Sequence, residues 1–318
     1  MCLLEVFLLS SLGFAQDKKL SASLSHYIMG VYYEDAGDLE RSIQEYQKAR
    51  DADRYNIDTR LNLATAYLKK NDFAKAIDEL NAAVGIDADA PEPHAILALI
   101  YSAQGNESLA QKEYETTFKK ASARQPKNVE IYKGLGLVYL SQKKYKEAQA
   151  AYLLALDLEP DDSEAHFFLG NIYDEQKDRR KAIQEFKRAI KLNPDYHEAL
   201  NYLGYIYVEE NRDLGTADRL IRKAIELDPD NGAYIDSLGW LYFKRSKFKD
   251  ALNELKKASV LIEDPVVYDH LGDTYYKLKD FDKAKESWDK SLKMDPGQVK
   301  VKSKINDLAQ IKDAGKKD

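Results

Sequence analysis

The chain has 318 residues, 44% hydrophobic and 32% charged, which is enough apolar content to bury a core and too much for a compositionally disordered chain. Its 48 basic and 54 acidic side chains leave a net charge of −6, which argues against nucleic acid as a partner, because a phosphate-tracking surface needs a basic excess. The single cysteine excludes a disulfide framework, a cysteine-based zinc site and an iron–sulfur cluster.

Residues Met1 to Ala15 read MCLLEVFLLSSLGFA. This apolar stretch is shorter than the ~20 residues a bilayer-spanning helix needs. It is similar to the apolar region of a secretory signal peptide, with Gly13 and Ala15 as small residues ahead of the polar Gln16-Asp17-Lys18-Lys19. No basic residue precedes it and Glu5 interrupts it. Cys2 lies ahead of the apolar run, so no lipoprotein box is read. We expect residues 1–16 to be a signal peptide and 17–22 a short lead-in. The alternative is an apolar extension packed on the first repeat unit.

From residue 23 a repeat organises the chain. Tyrosine recurs at 33, 67, 101, 139, 173, 207, 242 and 275. Three residues before each stands a small residue: Gly30, Ala64, Ala98, Gly136, Gly170, Gly204, Gly239 and Gly272. A large aliphatic precedes each of these, from Met29 and Leu63 to Leu271. Further on come Ser42, Ala76, Ala110, Ala148, Ala182, Ala217, Ala251 and Ala284, each followed seven residues later by Ala, Thr or Ser. Leu, small and Tyr at these spacings share one face of a helix. The small residue admits a close neighbour, and the Tyr ring is expected to fill the space beside it. The Ala pairs give a second helix a smooth stripe. Asp38, Asp72, Asn106, Asp178, Asp213 and Asp280 stand where that second helix would begin, as N-caps. Pro160, Pro194, Pro229 and Pro296 end it.

On these residues the chain resembles the tetratricopeptide-repeat (TPR) family, whose period is 34. Eight units are expected, at 23–56, 57–90, 91–128, 129–162, 163–196, 197–231, 232–264 and 265–298. Unit three carries four extra residues around Ala123 to Pro126, unit six one extra near Gly215, and unit seven is one short; all are read as altered turns. Val301, Ile305 and Leu308 share a face, so 299–318 reads as an amphipathic capping helix and polar tail. The fold class is all-α. The resemblance implies a right-handed α-solenoid of about eight TPR helix pairs, with first helices lining the concave side.

No catalytic signature is present. His197-Glu198-Ala199-Leu200-Asn201 misses the second zinc ligand, and Gly134-Leu135-Gly136 sits inside a repeat helix with no third glycine. His26, His94 and His166 share one repeat position, read as packing. No enzyme activity, metal or cofactor is expected.

In a TPR array, function lies in the groove. Residues three before, two before, one after and four after the small residue face away from the packed side. In the last four units these positions collect aromatics, carboxamides and carboxylates: Phe167, Phe168, Asn171, Asn201, Tyr202, Tyr205, Asp236, Trp240, Asp269, Asp273 and Tyr276. No three consecutive units supply the Lys and Asn set with which some family members clamp a C-terminal carboxylate. Asp236, Asp269 and Asp273 are expected to cluster near Trp240, Tyr205 and Tyr276, answered by solvent, by lysines from neighbouring helices, or by a partner's basic or amine group.

The blocks around Trp240 and Tyr268 to Asp273 look like closing units of bacterial TPR proteins that are often exported or envelope-associated. The expectation is a non-catalytic scaffold that binds a protein or peptide in the groove, in the periplasm or envelope, with no transmembrane span and membrane association only through partners. The alternatives are an accessory factor of a polysaccharide or lipid export machine, and a cytoplasmic regulatory subunit of an enzyme.

Overall fold

The computed structural model describes the helices of residues 3–314 and the side chains of 17–310. The side chains around the cleavage site expected near Ala15, and the polar tail at 315–318, lie outside the described residues. Among those described there are seventeen helices and no strand. By contacts the chain forms two compact bodies, Met1–Leu158 and Glu159–Asp318. The first holds α1 (Leu3–Asp35), α2 (Leu39–Ala52), α3 (Ile57–Lys69), α4 (Phe73–Ile86), α5 (Pro91–Ala103), α6 (Glu107–Arg124), α7 (Val129–Ser141) and α8 (Tyr145–Leu158). The second holds α9 (Ser163–Glu175), α10 (Arg179–Leu192), α11 (His197–Glu209), α12 (Leu214–Leu227), α13 (Gly232–Lys244), α14 (Phe248–Leu261), α15 (Pro265–Lys277), α16 (Phe281–Met294) and α17 (Val299–Ala314). Each body is a stack of helix pairs, an all-α TPR solenoid. Within it the second helix of one pair packs on the first helix of the next.

Local chemistry explains the helix starts. Each of the six capping residues expected from the sequence accepts a hydrogen bond from the backbone N–H three residues on, at 3.1–3.4 Å. The turn between the helices of a pair has a fixed form. Gly37, Asn71, Gly105, Lys143, Lys177, Asn211, Ser246 and Lys279 all have positive φ, between 50° and 78°. Only two are glycine, so six units bear the cost of a side chain in the left-handed region.

Packing within a pair departs from the expectation in one respect. The large side chain beside the small residue comes from the second helix, not from the periodic tyrosine. A Cβ on Gly170 would meet the Phe186 ring at 2.7 Å, and one on Gly204 would meet Ile221 at 2.7 Å. Tyr46, Leu80, Tyr152, Phe186, Ile221, Leu255 and Trp288 fill this position, all buried. Most periodic tyrosines instead carry a Lys or Arg over their rings, as Lys181 does over Tyr173 at 5.0 Å.

A second correction concerns the longest unit. Its four extra residues are not an altered turn; they lengthen α6 to 18 residues against 14 for the other second helices. Four residues add about one helical turn, which leaves the packed face in phase. In unit six the extra residue does sit in the turn, where Asp213 has φ 44°.

Candidate functional site

The first helices of the second body, α9, α11, α13 and α15, carry all eleven residues singled out by the sequence. α11 packs on α13, and α13 on α15. This stacking sorts the residues into two groups.

The position three before the small residue is covered by the next first helix. Phe167 is buried against Tyr196 (ring centroids 4.9 Å apart) and Tyr202 (5.6 Å). Phe168 is partly buried, edge-on to Phe167. Asp236 is buried, and both its carboxylate oxygens lie 3.0–3.1 Å from Nδ1 of the buried His270. Burial opposes charge on His270, but Asp236 outweighs it and raises the imidazole above its ordinary range. Trp240 is also buried, stacked between His270 at 3.9 Å and Phe243 at 4.5 Å, with its indole N–H donating to Glu209. Asp236, Trp240 and Phe167 therefore join one unit to the next.

The three carboxylates expected together all act on His270, and they are answered from within the molecule, one of the expected alternatives. Asp236 is withdrawn into its pair with His270. Asp269 and Asp273 are answered by Lys304 of α17, whose ammonium lies 2.7 Å from each. The Trp288 indole N–H also donates to Asp273, at 3.1 Å. Burial still raises the Asp273 carboxyl above the usual carboxylate range, against the pull of Lys304. Tyr276 is partly buried between Phe281 and Trp288.

Tyr202 is open, 44% exposed and stacked on Phe186, and a recess of about 220 Å³ lies beside α11 and α13. The recess is bounded by Asn201 and Tyr205 of α11, Ala233, Asp236 and Ser237 of α13, and Ile262, Asp264, Val266 and Val267 around the start of α15. Burial, then the charges of Glu209 and Asp236, raise the Tyr205 phenol well above its usual range, so it stays a neutral donor. Asn201 is only 7% exposed, and its carboxamide oxygen has no hydrogen-bond partner. The carboxamide oxygen of Asn171, on α9, is unpartnered as well. An unmet buried polar atom costs about 1–3 kcal/mol.

The sequence reading missed a charged rung inside four helix pairs. His26 meets Glu45, His94 meets Glu113 and His166 meets Glu185, each at 2.6 Å and 19 residues apart. Arg60 takes the histidine's place opposite Glu79, also at 2.6 Å. These histidines are ion-pair or hydrogen-bond partners, not packing alone, and the recurring 19-residue His–Glu spacing was visible in the sequence. Among the described residues no group of three or more His, Cys, Asp or Glu could hold a metal ion, and no helix is long and apolar enough to cross a membrane.

Stacked helix pairs with a polar and aromatic first-helix face define a helical-repeat interaction scaffold. The chain belongs to the tetratricopeptide-repeat family: models of that repeat match residues 33–100, 129–162, 163–196, 185–219 and 265–298, together more than half of its length. The fold is a scaffold for protein–protein interaction, typically non-catalytic, with protein or peptide partners. The chain is 31% identical over 108 residues to the type IV pilus assembly protein PilF of Pseudomonas aeruginosa, a match covering 34% of this chain and 40% of that protein. It thus spans well under half of that curated relative. Among solved structures, the Cut9–Hcn1 hetero-tetramer of the APC/C matches 91% of this chain and 70% of its own, at 15% identity and a TM-score of 0.58. A tetratricopeptide repeat protein from Parabacteroides merdae matches 80% of this chain and 99% of its own, at 16% identity and a TM-score of 0.51. These two likenesses concern the fold alone.

Proposed function

We propose that the protein is a non-catalytic scaffold that grips a polypeptide segment along the first helices of residues 159–318, at the recess between α11, α13 and the start of α15. The observation that carries this reading is Asn201. Its carboxamide lines the recess, is nearly buried and lacks a partner for its oxygen. That oxygen is itself buried, so a peptide N–H meets it once the carboxamide turns toward the recess; the oxygen of Asn171 on α9 is buried and unmet likewise. Exposed Val266 adds apolar contact at the recess, and exposed Tyr202 stands next to Asn201 on α11. With Asp236 held by His270, the carboxylate left at the recess is Asp264, and among the described residues no Lys or Arg lines it, which favours a segment with a basic residue or free amine.

The reading extends to place. The apolar run ahead of Ala15 and the partial likeness to a pilus assembly protein support export and an assembly role outside the cytoplasm. Recovery of chain beginning at Met1 or Cys2 from the soluble cytoplasmic fraction overturns export.

The binding claim is tested with peptides selected from a random displayed library on the wild-type chain. Their affinity is then measured for Asn201→Ala and Val266→Glu, with Val260→Glu on α14 as a surface control. Losses of about tenfold or more for the first two, and none for the control, are expected. Raised salt should weaken binding of peptides with a basic residue. Equal binding by all three variants overturns the recess as the site. Binding of oligosaccharides and not peptides would favour the glycan-export reading instead.

A further inference from the structure

Charge is sorted between the two kinds of helix in residues 159–318. The first helices α9, α11, α13 and α15 carry 2 Lys and Arg against 8 Asp and Glu. The second helices α10, α12, α14 and α16 carry 16 against 8, a basic excess within a chain of net charge −6. Most of it lies on α10, which has six Lys and Arg against Glu185 alone, and Glu185 is held by His166.

The excess gathers around the periodic tyrosines. Lys187 of α10 lies 5.9 Å from the centre of the Tyr207 ring, and Arg212 of the following turn lies 5.1 Å from it. Tyr242 has Arg222 and Lys247, both at 6.0 Å. Tyr275 has Lys256 at 5.9 Å and Lys283 at 5.6 Å. In each case one cation comes from the preceding second helix and the other from the tyrosine's own pair. At Tyr207 the arrangement opens into a recess of about 700 Å³, lined by Arg179, Arg180, Lys187 and Arg212, with Glu210 and Asp213 as its carboxylates. Arg179 is paired with Asp174 at 2.9 Å, and Arg212 with Glu210 at 3.2 Å. Arg180 and Lys187 are exposed, and among the described residues neither has a carboxylate within ion-pair distance.

We propose that this recess is a second docking site, separate from the first-helix face, and that it takes an acidic segment of a partner polypeptide, whose Asp or Glu carboxylates meet Arg180 and Lys187 above Tyr207. A guanidinium can hold a carboxylate through two parallel N–H donors, and an ammonium adds a point charge. The surroundings favour a polypeptide over other polyanions. A planar anionic membrane would be set against Glu210 and Asp213 together with the cations, whereas a flexible chain can place its carboxylates between them. Single-stranded nucleic acid needs open aromatic faces on which its bases stack, and Tyr207 is buried beneath its cations. The acidic first helices would repel the same segment, so the two faces take partners of opposite charge.

Fluorescence anisotropy tests the proposal, with the full chain titrated into a labelled peptide of about 12 residues alternating Glu and Ser at about 50 mM salt. Saturable binding is expected. Arg180→Glu with Lys187→Glu should weaken it about tenfold or more, with unchanged far-ultraviolet circular dichroism because both side chains are exposed. Lys127→Glu with Lys146→Glu makes the same change in net charge at exposed positions of the first body and should leave the affinity within about twofold. Asn201→Ala should leave it unchanged, which separates this site from the recess beside α11 and α13. A wild-type chain that does not bind the peptide overturns the proposal. So does equal weakening by the two double variants, which would trace binding to overall charge. Tighter binding of phosphatidylglycerol vesicles or of oligothymidylate than of the peptide, lost in Arg180→Glu with Lys187→Glu, would overturn the acidic polypeptide as the occupant.

Discussion

Lys304 is the residue whose loss has the clearest expected cost. It reaches from α17 to Asp269 and Asp273 at 2.7 Å, and the three side chains are 29%, 21% and 19% exposed. Lys304→Met keeps the length of the stem and removes the charge. Two carboxylates then face each other beside Trp288 with no cation between them. Exposed ion pairs are worth about 0.2–1 kcal/mol, whereas breaking a buried one costs about 3–5 kcal/mol. This triad lies between those limits, so we expect a loss of about 2 kcal/mol, read as a lower urea midpoint. Because repeat arrays couple mainly to neighbours, the loss should appear first as faster amide exchange in residues 299–308. Adding Asp269→Asn should recover part of it, since one of the two opposed charges is gone. A Lys304→Met chain whose midpoint moves by less than about 0.5 kcal/mol, with unchanged exchange in α17, would refute the view that this triad fastens the cap.

Other perturbations test the same packing. Gly204→Leu drives a side chain into Ile221, and Ala182→Asp buries an unpaired carboxylate; each should cost about 2–4 kcal/mol in urea unfolding, with the loss local to α9–α12. Lys177→Gly relieves a residue at φ 66° and should stabilise by about 0.5–1 kcal/mol in the same assay. Burial alone would lower the His166 pKa, but Glu185 and the Pro160 carbonyl raise it above its ordinary value. Its contribution is therefore fully present below the unfolded pKa of about 6.5 and is lost as pH rises through the higher folded value. The thermal midpoint of wild type should exceed that of His166→Gln most at acid pH, and the gap should narrow as pH rises; a constant gap counts against the His166–Glu185 pair.

What was legible in the sequence was local. Leucine, small residue and tyrosine recur at fixed offsets because every pair reuses one helix face, and caps stand one residue outside six of the eight second helices. The large side chain over each small residue was harder to read. Tyr, Leu, Phe, Ile and Trp all serve, so the position keeps a size and not an identity. The candidate site was half legible. A helical wheel places Asp236, Trp240 and Phe167 away from the packed side of their own pair. It does not show that the next first helix lies over them, as His270 lies over Asp236. Lys304 was hidden for the same reason, since it meets Asp269 from 35 residues away and on a different helix. The unpartnered oxygen of Asn201 belongs to three-dimensional packing and has no trace in spacing.

The central claim is that a polypeptide lies along the first-helix face of residues 159–318, and site-specific photocrosslinking in the native cell tests it most directly. A photoreactive amino acid placed at Tyr202, beside Asn201 on α11, should crosslink to a polypeptide, and Asn201→Ala in the same chain should reduce the yield. The same group at Val260, exposed on the second helix α14, should give no such adduct. Equal crosslinking from both positions, or a Tyr202 adduct unaffected by Asn201→Ala, would contradict the account.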